Sequence, residues 1–254
     1  MADTLYLSLW YPNLRLAALA DKLTAVLGAF AAHGGEARVY SATVWPINWN
    51  ESPVFQQVYG RRIGAGSEET GKLGAEPRVA VEEALELLHD DFAYEFQIGW
   101  SLWELENPPG DAGPSTAFVA KNAPNSAQDD NVLADSALGK LNPRWAREPR
   151  LVRVTGFGPL FDEGCYEADG HIRVDFGSDA PFLEEDLELD SVAARHVEEN
   201  VRQLVELTAT VEKVSGATAR LLWSELGESL AERLAARLRN LSTNPAFPQG
   251  LKPN

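Results

Sequence analysis

One cysteine, Cys165, is all that the 254 residues contain. That excludes an intramolecular disulfide and any cysteine-based metal cluster, and it suits a reducing compartment. Histidine is scarce too, with four in the chain, so few imidazoles are available for metal binding or proton transfer. No G-x-S-x-G elbow occurs, and with it the exposed serine of an α/β-hydrolase is missing. The N-terminus, MADTLYLSLWYPNLRL, shows no basic leader ahead of an apolar core and a small-residue cleavage site. No window reads as the roughly 20 apolar residues of a membrane span. The expectation is a cytoplasmic protein with no cofactor.

Positive charge is also in short supply. Twenty-two Lys and Arg face 38 Asp and Glu, a net charge of −16. A field of that sign repels nucleic-acid phosphates and anionic membrane surfaces, so neither is an expected partner, whereas a basic protein is allowed. Acidity of this kind also serves solubility alone.

Apolar residues, in contrast, are plentiful at 44%, enough for a substantial core. Their pattern is most regular from Phe92 to Leu102. There Phe92, Tyr94, Phe96, Ile98, Trp100 and Leu102 alternate with Ala93, Glu95, Gln97, Gly99 and Ser101. Side chains on a strand point alternately to opposite faces, so this comb predicts a long strand with one buried and one polar face. Such a strand belongs to a sheet covered on a single side.

Around it, Leu5, Leu7 and Leu9 predict an opening strand, and Leu16 to Phe30 a helix ended by His33-Gly34-Gly35. Arg38 to Trp45 and Val54 to Tyr59 predict two further strands, and Val81 to Leu88 a short helix. This order matches a split βαβ, ferredoxin-like arrangement for residues 1–106. Residues 107–149, opened by Pro108, Pro109 and Gly110, read as a linker or long loop. Residues 150–254 form a second α+β half, either separate or continuous with the first. It holds strands at Leu151–Thr155, Ile172–Phe176 and Ala217–Trp223. Its long helix is capped by Asp190 and closed by Gly216, and a leucine stripe from Leu226 to Leu241 marks a last helix. The fold class is α+β: largely antiparallel sheet with helices packed on one side.

Chemistry is thinner. His171, Arg173 and Asp175 fall on one face of a predicted strand, with Ile172, Val174 and Phe176 on the other. A carboxylate makes a nearby imidazole more basic, and an arginine beside them orients an anion. Arg153 joins that face if its strand pairs there, and Asp162 or Glu163 adds a hard oxygen ligand. A solvated, charge-paired sheet face explains the same pattern. His196 and Glu199 share a helix face at metal-binding spacing, within a run of mixed charge. His89 precedes Asp90-Asp91 at a helix end, where local electrostatics favour a cation.

Gly66 to Lys72 matches P-loop glycine and lysine spacing, but Leu73 stands where a serine or threonine must meet magnesium. Acidic neighbours should keep the Cys165 thiol inert. Trp45 and Trp49, in Trp45-Pro46-Ile47-Asn48-Trp49, are candidates for anchoring a protein partner or for closing the rim of the core. The leading expectation is a non-enzymatic protein that binds a basic protein, of inhibitor or immunity type. The alternative is a hydrolase or metal-dependent enzyme using His171, Arg173 and Asp175.

Overall fold

The structure, a computed structural model, describes residues 3–60, 74–105, 145–184, 190–225 and 230–243. Among them seven strands form one sheet: β1 (Thr4–Trp10), β2 (Gly35–Pro46), β3 (Phe55–Val58), β4 (Phe92–Leu105), β5 (Trp145–Phe157), β6 (Ile172–Ser178) and β7 (Ala219–Ser224). Their order is β3-β2-β4-β5-β6-β1-β7, and each neighbouring pair is antiparallel. The helices α1 (Leu19–Ala29), α2 (Pro77–Ala84), α3 (Ser191–Ser215) and α4 (Leu230–Thr243) pack on one face. The α+β class read from the sequence is the class observed.

The comb in β4 explains the layering. Tyr94, Phe96, Ile98, Trp100 and Leu102 are all buried beneath the helices, and burying each such side chain is worth about 1.5–3 kcal/mol. Trp100 meets Phe30 edge-on and lies against Phe176 and Phe182, while its indole N–H donates to the His33 carbonyl at 2.7 Å. The matching combs of β1 (Leu5, Leu7, Leu9) and β6 (Ile172, Val174, Phe176) complete the same buried layer. Gly156 lets α1 approach closely, since a Cβ there would come within 3.0 Å of the Leu23 side chain.

The ferredoxin-like order expected for the N-terminal half is not the order found. That arrangement sets β1 against β4, but here β4 carries β2 on one edge and thirteen consecutive pairs with β5 on the other. With both edges of β4 occupied, β1 lies between β6 and β7. Strands from both sequence halves therefore share one sheet, and one buried cluster runs through them.

The linker expected over 107–149 is too long at its C-terminal end, because β5 begins at Trp145. Pairing with the far end of β4 extends it, and Pro149 is tolerated because β6 flanks β5 only over Arg153–Gly156. Residues 107–144 lie outside the described residues, as do the P-loop-like segment Gly66–Lys72 and the tail beyond Thr243.

A third correction concerns hydropathy. The helical run Leu16–His33 has a mean hydropathy of 1.3 over 18 residues and is apolar enough, by length and composition, to match a membrane span. In this fold its Leu19, Leu23, Val26, Leu27 and Phe30 are buried in the common core.

The capping signals behave as read. The Asp190 side chain accepts from the N–H groups of Val192 and Ala193 at 2.9 and 2.8 Å, and Gly216 closes α3 in the left-handed region (φ 68°). One polar contact ties α3 to the sheet. The buried Asn200 amide accepts from the Trp103 N–H at 2.9 Å, donates to the Trp103 carbonyl at 2.8 Å and donates to the Pro181 carbonyl at 2.9 Å. It serves β4 as a neighbouring strand would.

Replacing it with an apolar isostere strands three backbone groups. Asn200→Leu is expected to lower unfolding free energy by about 3 kcal/mol in urea titrations. A loss below about 1 kcal/mol would show that water replaces the amide and that the tie is dispensable.

Candidate functional site

The face of the sheet opposite the helices is ordered by strand register. One row runs Thr43–Glu95–Thr155–Arg173–Ser8–Leu221 across six strands, and the next runs Ser41–Gln97–Arg153–Asp175–Tyr6–Trp223. These rows bring together residues far apart in the chain, because antiparallel pairing fixes which side chains stand opposite one another. Arg153 and Asp175 are direct cross-strand partners and form an ion pair. The second Asp175 oxygen accepts from the Gly177 N–H at 2.8 Å. Arg173 is held by Asp169 at 2.5 Å, and its guanidinium lies over the rings of Tyr6 and Phe157. Tyr6 stacks on Trp223 with ring centres 4.7 Å apart and donates to Glu225 at 2.8 Å. Burial first, and that hydrogen bond second, push the Tyr6 hydroxyl up to about 12, so it stays a donor.

One end of this face is built up by a small apolar cluster of Ala93, Phe157 and Phe161, against which Trp45 and Trp49 pack. The turn after β2 holds Trp49 in place. Ile47 sits in the left-handed region (φ 60°), a strained conformation for a β-branched residue. Two backbone hydrogen bonds pin it: its N–H donates to Asp91 at 2.8 Å, and its carbonyl accepts from Asp162 at 2.7 Å. Trp49 then meets Trp45, Phe157 and Phe161 edge-to-face. Both tryptophans are half-buried, so they do close the rim of this cluster. Yet each still lines a hollow of about 360 Å³ whose other walls include Tyr6, Glu95, Arg153, Arg173 and Asp175. A second hollow of about 390 Å³, reaching Tyr40, Gln56 and Val58, shares Trp45 and Glu95 with the first. Together they make a groove along the open face. The Trp45 indole N–H is buried with no hydrogen-bond partner among the described residues.

The two sets of residues picked from the sequence thus meet in one place, with one exception. Arg173 and Asp175 share the hollow with Trp45 and Trp49, and Arg153 joins them as the pairing rule anticipates. His171 does not. It precedes the first residue of β6 and follows Gly170, whose positive φ of 87° and close approach to Leu9 turn the chain. Its Nδ1 accepts from the Tyr11 N–H at 3.2 Å and its ring packs on Tyr166, in a separate hollow with Asn13, Leu16 and Pro159. Burial lowers its pKa, favouring the neutral imidazole. The period-two argument fails at this residue because the strand has not yet begun.

The remaining candidates are absorbed in structure. Cys165 is half-buried, and burial, followed by Asp169 and Asp162, pushes its thiol up to about 11. His196 lies against the rings of Trp103 and Trp145, and Glu199 accepts from Trp103 at 3.0 Å and Arg147 at 2.6 Å. His89 Nδ1 lies 2.5 Å from the Asp91 carboxylate. Among the described residues no group of three His, Cys, Asp or Glu is placed to hold a metal ion.

The residue missed by sequence reasoning is Glu95. It counts in the comb only as a polar tooth, yet it stands in both hollows. No described residue gives it a hydrogen bond or ion pair. Burial is the largest influence on its carboxyl and raises its pKa above the ordinary 4.5; Asp175 adds to the rise, while Arg153 and Arg173 oppose it. The available signal was a lone carboxylate between Tyr94 and Phe96, but whether it faced solvent depended on side chains from other strands, Trp45, Arg153, Arg173 and Asp175 among them. No protein-family model, curated protein or solved structure matches this chain.

The raised pKa has a defined sign in stability. The folded state favours protonated Glu95, so its contribution is present below about 4.5 and is lost as pH rises through the raised value. Glu95→Gln should therefore be more stable than the wild type at pH 8, with the gap closing as pH falls toward 4.5. Denaturation midpoints across that range check this. A gap of opposite sign, or one independent of pH, would show that Glu95 is solvated in the folded protein.

Proposed function

We propose that this protein is a non-enzymatic, cytoplasmic binding protein whose open sheet face docks a basic polypeptide, in the manner of an inhibitor or immunity protein. The observation that carries the reading is the groove itself: two adjoining hollows walled by Trp45 and sharing Glu95, on the sheet face opposite α1–α4. A net charge of −16 supports a cationic partner, since complementary fields accelerate encounter and disfavour acidic competitors. Trp49 supplies the type of anchor that dominates protein interfaces: a large ring on a pinned turn, costing little entropy to immobilise. The polar rows beside it are paired across strands and offer hydrogen bonds without needing to rearrange.

The alternative hydrolytic reading loses its base with His171 in a different hollow. Among the described residues lining the open-face hollows there is no histidine to take its place.

The test uses labelled peptides of about twelve residues rich in lysine and arginine, titrated with the full-length protein. Saturable binding is expected at about 20 mM salt, weakening at least tenfold by about 300 mM as screening shortens the field. Trp49→Ala is expected to weaken it about tenfold or more, with the fold intact by circular dichroism. No saturable binding at low salt, or binding indifferent to Trp49, would overturn the proposal.

A further inference from the structure

We propose that the hollow bounded by Trp45, Trp49 and Glu95 is a seat for a single organic cation, the head of one lysine or arginine side chain, with the Glu95 carboxylate as its counter-ion. This rests on the docking of a basic polypeptide and names the contact that would specify it. The argument begins with the charges inside the hollow. Arg153 is neutralised by Asp175, and Arg173 by Asp169. Both arginine heads are further fixed, one by cross-strand register and the other by stacking over Tyr6 and Phe157. Among the described residues, Glu95 is the charged group of that hollow with no hydrogen bond or ion pair. Counting Asp169 behind Arg173, these five groups carry one excess negative charge in a partly desolvated place.

Arg153 and Arg173 offset only part of the cost of holding this carboxylate out of water, and the remainder is recovered when a cation of suitable shape arrives. The tryptophans favour the same guest. Cations are attracted to the faces of indole rings, most strongly where water is excluded. Anions meet the opposite situation: each arginine already has a carboxylate partner, while Glu95 and Asp175 repel a further negative charge. A hollow of about 360 Å³ accommodates a side-chain head and part of its stem. Divalent metal binding is a poorer match, since no described triad of ligating side chains surrounds Glu95.

Linkage gives the seat a signature. A bound cation stabilises ionised Glu95 and so draws its raised pKa down. Binding therefore releases protons, and affinity falls as pH drops toward 4.5. The probes are the blocked amino acids N-acetyl-lysine methylamide and N-acetyl-arginine methylamide, with the norleucine and glutamate analogues as neutral and anionic controls. Tryptophan emission and titration calorimetry in two buffers of different ionisation heat read binding and proton release.

The full-length wild type is expected to bind the lysine or arginine probe and neither control, losing affinity toward low pH. Glu95→Gln is expected to weaken the cation about tenfold or more and to remove the pH dependence. If Glu95→Gln binds the cation as the wild type does, or if the glutamate probe binds instead, the seat is wrong. Salt-sensitive, Trp49-dependent binding of the basic peptide in that same variant would leave the docking face standing. If the wild type binds neither the peptides nor the blocked cations, both readings fall together.

Discussion

The two-residue repeat of β4 is the constraint from which the rest of this fold follows. A strand of fourteen residues that carries large apolar side chains on alternate positions can hide them only by lying under helices along its whole length. It also exposes two long edges of N–H and C=O groups that must be paired. β2 takes one edge and β5 the other, and Asn200 finishes the ladder where β2 no longer reaches Trp103. Once those edges are filled, β3 extends the sheet beyond β2 while β6, β1 and β7 extend it beyond β5, and the first described strand comes to rest beside the last.

The same repeat creates the opposite face. Every residue that points into the core on β4 has a neighbour pointing out, and register then aligns those neighbours with their counterparts on five other strands. Charges that would repel one another in sequence are instead interleaved: Arg153 against Asp175, with Arg173 reaching back to Asp169. Pairing of this kind keeps a half-exposed sheet soluble. Surface pairs add little stability, usually below about 1 kcal/mol each, so their main consequence here is orientation. They hold two guanidinium groups still and leave Glu95 as the odd charge in a wall of rings.

Rigidity distinguishes this face from an ordinary polar sheet surface. Trp49 is carried on a turn with a strained Ile47 at its centre, and that turn is bonded on both sides to segments flanking β4 and β5. Strain of about 1–3 kcal/mol at such a residue persists only when surrounding contacts over-determine it. A preformed groove of this kind pays little ordering entropy when a partner arrives. The net charge acts at longer range, shaping encounter, while the groove acts at contact.

Much of the secondary structure was legible from the chain alone, because periodicity and capping are local. The comb of β4, the Asp190 cap, the Gly216 stop and the helix from Leu16 each follow from residues within a turn or two of one another. The α+β class follows too, since a two-faced strand demands cover on one side. Strand order did not follow: the ferredoxin-like order and the linker boundary both misjudged how far β4 and β5 would pair, a contact between segments separated by a long stretch of chain. Arg173, Asp175, Trp45 and Trp49 could be picked out as candidates, but their meeting in one hollow depends on register across four strands. His171 parted from them because one residue outside a strand the alternation no longer holds. Glu95 became distinctive only in three dimensions, for burial and the lack of a partner are properties of what surrounds a side chain and not of its position in a sequence.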